Sequence, residues 1–102
     1  MSVLPVVKIL VVDDLDENLV AVEALLRSEG LELLLARSGR EALELLLVHD
    51  VALALLDVQM PDMDGFELAT LMRGTERTRH VPIIFMTAGS HDTRRMFRGY
   101  EV

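Results

Sequence analysis

The sequence predicts an α/β fold, a three-layer sandwich in which helices cover both faces of a parallel sheet. Short apolar runs alternate with segments of helical spacing, giving four βα units in 102 residues. The composition is 51% hydrophobic but only 4% aromatic, so the core must be built from aliphatic side chains. That composition suits strands buried between helices better than an aromatic-rich β-sandwich. The length predicts one domain, residues 1–102.

Predicted strands and helices alternate along the chain. The strands cover residues 8–12, 31–36, 51–58 and 81–88. The helices cover residues 15–29, 38–48, 66–73 and 92–100. Gly30 is placed to end the first helix in a left-handed cap, and Ser38 with Glu41 has the spacing of a capping box for the second. In the turn before the third helix, Gly65 is expected to supply a positive φ angle.

Three of the predicted strands end in residues that carry chemistry. The third strand ends in Asp57, the first is followed by Asp13 and Asp14, and the fourth ends in Thr87 and Ala88. Open α/β sheets bind ligands at the carboxyl ends of their strands. If the first and third strands are neighbours, the three aspartates converge, and three carboxylates do not all stay ionised in one place without a cation.

A hard divalent cation would resolve this crowding. Mg²⁺ takes carboxylate, carbonyl and water oxygens, and Mn²⁺ is an alternative. Zinc is disfavoured because the chain has no cysteine and no histidine at ligand spacing near the acids. A metal beside a carboxylate at a strand end suggests phosphoryl transfer, with Asp57 as the nucleophile that forms an acyl phosphate. Thr87 would then hydrogen-bond a phosphoryl oxygen.

Composition also excludes several classes of function. The net charge of −7 argues against nucleic acid as a direct partner, because phosphate backbones attract clusters of Lys and Arg. The amino-terminal segment carries Pro5 and Lys8 in its apolar part and reaches acids too soon for a signal peptide or a membrane span. The lack of cysteine fits a reducing cytosol. We therefore expect a cytoplasmic protein that contacts neither membrane nor nucleic acid.

Three stretches together resemble the receiver domain of two-component response regulators. They are VVDD at residues 11–14, LLDVQMPDMDG around Asp57, and PIIFMTA ending at Ala88. The resemblance runs over essentially the whole chain with the spacing of that family. It implies a flavodoxin-like strand order of 2-1-3-4-5 and phosphorylation of Asp57 by a histidine kinase or a histidine phosphotransfer protein. The modification would switch a surface for a partner or an output domain.

The same resemblance assigns roles to the other site residues. Asp14 would bind Mg²⁺ directly and Asp13 mainly through water. The backbone carbonyl of Gln59 would complete the protein's share of the metal shell. Thr87 would be the switch hydroxyl, and the small side chain of Ala88 would leave space for the phosphoryl group. By this analogy the domain assists its own phosphorylation and dephosphorylation but is not otherwise an enzyme.

One feature departs from the family pattern. The sequence ends at Val102, whereas a receiver domain continues into a fifth strand and a fifth helix, and that strand brings a lysine. Lys8 is the only lysine and lies at the start of the first strand, so it cannot substitute. We therefore expect the fifth βα unit to be absent and the fourth strand to be an exposed edge. Self-association through this strand or the fourth helix would follow.

Other classes of function stay open. The chain can be the receiver part of a larger enzyme, such as a hybrid histidine kinase or a cyclic-dinucleotide enzyme. It can also be an unphosphorylated dimerisation scaffold, although the intact acids and hydroxyl argue against that. A phosphohydrolase of the haloacid dehalogenase type needs an acid two residues after the aspartate, where this chain has Gln59. His49 and the other histidines lie in or near loops and are interpreted as solvated.

Overall fold

The computed structural model describes residues 5–86 and the backbone of residues 97–98. Its strands are β1 Val7–Val12, β2 Leu31–Ala36, β3 Leu53–Asp57, β4 Ile83–Met86 and β5 Phe97–Arg98. Its helices are α1 Asp16–Leu26, α2 Gly39–Val48 and α3 Gly65–Arg73. The strands form one sheet of order β2-β1-β3-β4-β5, in which β1 to β4 are parallel. The predicted α/β class and the flavodoxin-like order of the first four strands are confirmed.

Each face of the sheet buries its own core. On one face, the strands pack against α2 and α3 through a cluster that includes Leu46 and Met72. On the other face, Leu19 and Val22 of α1 pack against alternate residues of the same strands. Because successive side chains of a strand point to opposite faces, the apolar runs supply both cores at once. The predicted three-layer arrangement follows.

The predicted start of α2 agrees with the structure, whereas the predicted end of α1 does not. Ser38 caps α2 as predicted, accepting a hydrogen bond from the backbone N–H of Glu41 at 3.0 Å. Helix α1 ends at Leu26, earlier than predicted, with Arg27 as its C-cap. Gly30 has a positive φ of 82°, but it lies in the turn into β2 rather than at the helix end. The chain reverses there, and Val7 donates to the carbonyl of Gly30 at 2.9 Å.

The prediction of a helix over residues 92–100 is wrong at residues 97–98. These two residues form β5, which pairs antiparallel with Phe85 and Met86 of β4. The helix prediction depended on a single i, i+4 apolar pair, whereas the free edge of β4 presents backbone groups that an adjacent strand can satisfy. The rest of the predicted helix lies outside the described residues. Within them, the edge of β4 that β5 leaves open is Ile83 and Ile84.

The helices in the described part of the chain are short. The longest is α1, with 11 residues. None of them is long and apolar enough to cross a membrane.

Candidate metal site

Adjacent strands bring the acidic residues to one edge of the sheet. Strands β1 and β3 run parallel with Val12 beside Leu56, so the next residues on each strand, Asp13 and Asp57, lie side by side. Asp14 follows immediately. One carboxylate oxygen from each of the three aspartates lies within 4.8 Å of the others. The structure therefore brings together the three acids that the sequence singled out.

Burial makes this crowding costly. Asp13 is 2% exposed and Asp57 is 3% exposed, while Asp14 is the most exposed of the three. Burial, as the largest cause, and the negative charge of Asp13 together raise the pKa of Asp57 to about 7. A backbone hydrogen bond from Gln59 opposes the rise, while Asp14 adds to it. Without a cation, Asp57 is thus held partly protonated near neutral pH.

Asp13 is fixed from the side of α1. Its Oδ1 accepts a hydrogen bond from the backbone N–H of Leu15 at 3.0 Å, and its Oδ2 accepts one from Nδ2 of Asn18 at 3.1 Å. Asp57 has a comparable restraint, since Oδ1 accepts from the N–H of Gln59 at 3.2 Å. The carboxylates are thereby oriented by the loops that follow their own strands and, for Asp13, also by the first turn of α1.

The turn after β3 departs from its sequence prediction. The residue with a positive φ is Asp62, at 69°, and Gly65 is not among those with this conformation. Aspartate tolerates the left-handed region because its short side chain can bond to nearby backbone. Gly65 is needed for a different reason: a Cβ on it would lie 2.3 Å from the carbonyl oxygen of Asp57. The close approach sets α3 against the end of β3.

The structure describes the predicted fourth strand only as far as Met86. Thr87 and Ala88 are outside the described residues. The last described residue before them, Met86, lies opposite Asp57 in the register of β3 and β4. Its carbonyl accepts a hydrogen bond from the N–H of Val58 at 3.1 Å. The end of β4 is therefore tied to the loop that follows Asp57.

The residues present fit a hard divalent cation. The donors are carboxylate oxygens, which Mg²⁺ prefers, and two of the three acids are buried. Two salt bridges in the described residues, Arg37 with Asp16 and Arg77 with Asp50, do not involve these acids. A bound cation would favour the charged form of Asp57 and so oppose burial and the charge of Asp13, which raise its pKa.

Comparison with known proteins agrees with this geometry. The model of the response regulator receiver domain matches residues 9–100. The chain belongs to this family. It is 35% identical over 80 residues to the polar-differentiation response regulator DivK of Brucella ovis, a match covering 78% of this chain and 65% of DivK. The chain thus spans slightly less than two thirds of that relative.

Two further similar proteins differ in how much of their own length the match covers. A probable cyclic di-GMP phosphodiesterase of Vibrio cholerae is 38% identical over 87 residues, covering 81% of this chain but only 19% of that protein. The receiver domain of a sensor histidine kinase from Pseudomonas aeruginosa PAO1 superposes with a TM-score of 0.75 at 32% identity, covering 88% of this chain and 74% of that one. That crystal structure has a magnesium ion coordinated in its active site cleft. Receiver domains therefore occur in proteins of different overall activity.

Sequence reasoning missed Asn18 as part of the site. It lies five positions after Asp13, in the first turn of α1, and its side chain returns to the carboxylate. An asparagine in the first turn of a helix that directly follows a pair of acids was the available signal. Its position outside the apolar stripe of the helix, next to the acids, is what distinguishes it in the sequence.

Proposed function

We propose that this receiver domain accepts a phosphoryl group onto Asp57, with Mg²⁺ held at the end of β1 and β3. The observation that supports it best is the convergence of three aspartates within 4.8 Å, two of them buried. A protein fold does not keep such like charges together for stability, because their repulsion works against folding. The donor would be a phosphohistidine of a histidine kinase or a histidine phosphotransfer protein.

The chemistry assigned to Asp57 is nucleophilic. A carboxylate oxygen bonds to phosphorus as the bond from phosphorus to the imidazole nitrogen breaks, and the imidazole keeps the electron pair of that bond. The carboxylate must be ionised to attack, so the raised pKa of Asp57 has to be brought down first. Bound Mg²⁺ supplies this charge neutralisation, for the acids and for the phosphoryl oxygens alike.

In this proposal the remaining site residues bind the metal or contact the phosphoryl group. Asp14 would bind Mg²⁺ directly, Asp13 would bind it mainly through water, and the backbone carbonyl of Gln59 would complete the protein ligands; Mn²⁺ would serve in place of Mg²⁺. Thr87 bonds a phosphoryl oxygen as the switch residue, and Ala88 leaves room for the group. These roles come from the match of this chain to the family motifs.

We also propose a cytoplasmic location and two routes from phosphorylation to output. The first is an output domain in a longer protein, as the match to the Vibrio phosphodiesterase illustrates. The second is self-association through β4, where Ile83 and Ile84 have no partner from β5 among the residues that the structure describes. An unphosphorylated scaffold would use the same edge but would not need the acids. Phosphorylation therefore separates this alternative from the main proposal.

The test is phosphorylation by a small donor. The chain is incubated with Mg²⁺ and acetyl phosphate or phosphoramidate, and its intact mass is measured. We expect one added phosphoryl group on the wild type, none on Asp57→Asn, and one on the matched control Asp62→Asn, which changes an exposed acid in the following turn. An unmodified wild type, or a modified Asp57→Asn, would contradict the proposal.

A further inference from the structure

Helix α1 begins without a cap of its own. Its N-cap residue is Leu15, whose side chain makes no capping hydrogen bond. The carboxylate of Asp13, two residues earlier, instead accepts the N–H of Leu15 itself on Oδ1 at 3.0 Å. The same acid that faces the candidate metal site thus also holds the start of α1.

The second oxygen of Asp13 is held by the same helix. Nδ2 of Asn18 donates to Oδ2 of Asp13 at 3.1 Å. An ionised carboxylate only accepts hydrogen bonds, so the nitrogen end of the amide must face it. With one donor on each oxygen, both from the α1 side, the plane of the carboxylate is fixed. Asn18 reaches this position from the first helical turn.

We propose that Asn18 is a positioning residue for Mg²⁺ binding, which it promotes by holding the buried carboxylate of Asp13 in a fixed orientation beside Asp14 and Asp57. The inference rests on the proposed function, because it concerns the same metal. Outer-shell partners of this kind orient metal-binding carboxylates, and their loss typically weakens metal binding by about 10- to 100-fold.

The type of side chain matters at this position. An amide donates a hydrogen bond without adding charge. A lysine or arginine would bring a cation that competes with Mg²⁺ for Asp13, and an acid would add to the repulsion among three carboxylates. An apolar residue would leave an oxygen of Asp13, which is 2% exposed, without its donor. Asparagine satisfies the carboxylate and leaves its full negative charge available to the metal.

The experiment compares Mg²⁺ affinity and stability in four proteins: the wild type, Asn18→Leu, Asn18→Gln and Glu17→Gln. Asn18→Leu keeps a similar volume but removes the donor, and Asn18→Gln keeps an amide donor on a longer arm. Glu17→Gln changes an exposed neighbour in the same helical turn and serves as the control. The Mg²⁺ dissociation constant is measured by NMR titration of the backbone amides of Leu15 and Gln59. Urea unfolding without Mg²⁺ is measured in parallel.

We expect Asn18→Leu to bind Mg²⁺ about 10-fold more weakly than the wild type, with Asn18→Gln in between and Glu17→Gln unchanged. A merely structural role for Asn18 would lower the stability of the metal-free protein and leave the dissociation constant as in the wild type, and that result would overturn the inference. If Asn18→Leu does not fold, Asn18→Ser, whose shorter side chain cannot span the same distance, is measured in its place.

The outcomes separate this inference from the proposed function. Equal Mg²⁺ affinity in the wild type and the Asn18 variants would remove the role of Asn18 and leave the metal site standing. A wild type that does not bind Mg²⁺ would remove the metal site, and the role of Asn18 with it. Weaker binding in Asn18→Leu, together with partly restored binding in Asn18→Gln, would support both.

Discussion

At the amino-terminal ends of the strands charges meet hydrogen-bond partners or opposite charges, whereas at the carboxyl-terminal ends three carboxylates face one another. Near the start of β3 and β4, Arg77 contacts Asp50 at 3.1 Å. Nζ of Lys8, near the start of β1, lies 3.0 Å from Nδ1 of His49. These contacts join residues at or just before the amino-terminal ends of neighbouring strands.

At the carboxyl-terminal ends the acids accept hydrogen bonds, but neither salt bridge of the described residues involves them. Asp13 and Asp57 are buried next to each other, and the pKa of Asp57 rises to about 7 because burial and the charge of Asp13 both oppose its ionisation. Both ends belong to one sheet and have the same strands as support. The difference is that the contacts at the amino-terminal end join unlike groups, whereas the carboxyl-terminal end brings like charges together.

The largest expected effect is stabilisation by Mg²⁺. At about pH 8 and a Mg²⁺ concentration of about 100 times the dissociation constant, binding to the folded chain alone raises the free energy of unfolding by about 2.7 kcal/mol. Urea unfolding followed by circular dichroism measures it, with sodium chloride of equal ionic strength as the reference. We expect the gain to be largely lost in Asp14→Asn and kept in Asp50→Asn, at the opposite end of the sheet. Equal stabilisation by sodium chloride would mean that no specific site exists.

The pH dependence of stability is the next effect in size. In the folded chain Asp57 keeps its proton up to a pKa of about 7, against 3.8 for an ordinary aspartate. Between these two values the folded chain binds more protons than the unfolded one, so without metal the free energy of unfolding falls as the pH rises. The stability that comes from protonated Asp57 is fully present below a pH of 3.8 and is lost above a pH of about 7. We expect a loss on the order of a few kcal/mol, since one pKa unit corresponds to about 1.4 kcal/mol.

Asp57→Asn isolates this contribution because its amide does not titrate. The variant should be more stable than the metal-free wild type at about pH 8, and the difference should shrink towards about pH 4 as the wild type takes up its proton. Urea unfolding at several pH values, with a chelator present, gives both curves. Parallel curves for the two proteins would show that Asp57 ionises normally, and the contrast between the two ends of the sheet would lose its basis.

A steric prediction concerns the backbone at the site. In Gly65→Ala the new Cβ would lie 2.3 Å from the carbonyl oxygen of Asp57, so the turn before α3 must shift. We expect a loss of stability of about 1–3 kcal/mol and weaker Mg²⁺ binding. Gly74→Ala is the matched control at the other end of α3, where the nearest atoms would be 3.6 Å away. If both variants unfold at the same urea concentration, the close approach at Gly65 is not needed.

The fold and the acidic cluster could be predicted because they depend on short, local patterns. An apolar run of strand length that ends in an acid fixes both the strand and the edge at which the acid appears, and two such runs place Asp13 near Asp57 once the strands are adjacent. Adjacency itself came from the family resemblance. Residue spacing alone does not decide which parallel strands pair.

The features that could not be predicted depend on contacts between residues that are far apart in the sequence, or on which residue of a turn takes an unusual backbone conformation. Within the turn after β3, several residues can adopt a positive φ, and the sequence does not say that Asp62 does so while Gly65 serves a close contact. The partner of His49, interpreted as solvated, is Lys8, which is 41 residues away along the chain. The strand at residues 97–98 forms because β4 offers an open edge, which a local helical pattern cannot reveal.

The smallest expected effect is at the amino-terminal end. Side chains of Arg77 and Asp50 are 44% and 86% exposed, so water and salt screen their attraction. A double-mutant cycle with Asp50→Ala and Arg77→Ala, measured by urea unfolding, should give a coupling energy of about 0.2–1 kcal/mol that shrinks as sodium chloride is added. The acids at the carboxyl-terminal edge should respond less to the same salt, because Asp13 and Asp57 are shielded from it by burial. A larger coupling that resists salt would mean that the amino-terminal pair also stores substantial electrostatic energy, and the two ends would then differ only in the sign of their charge interactions.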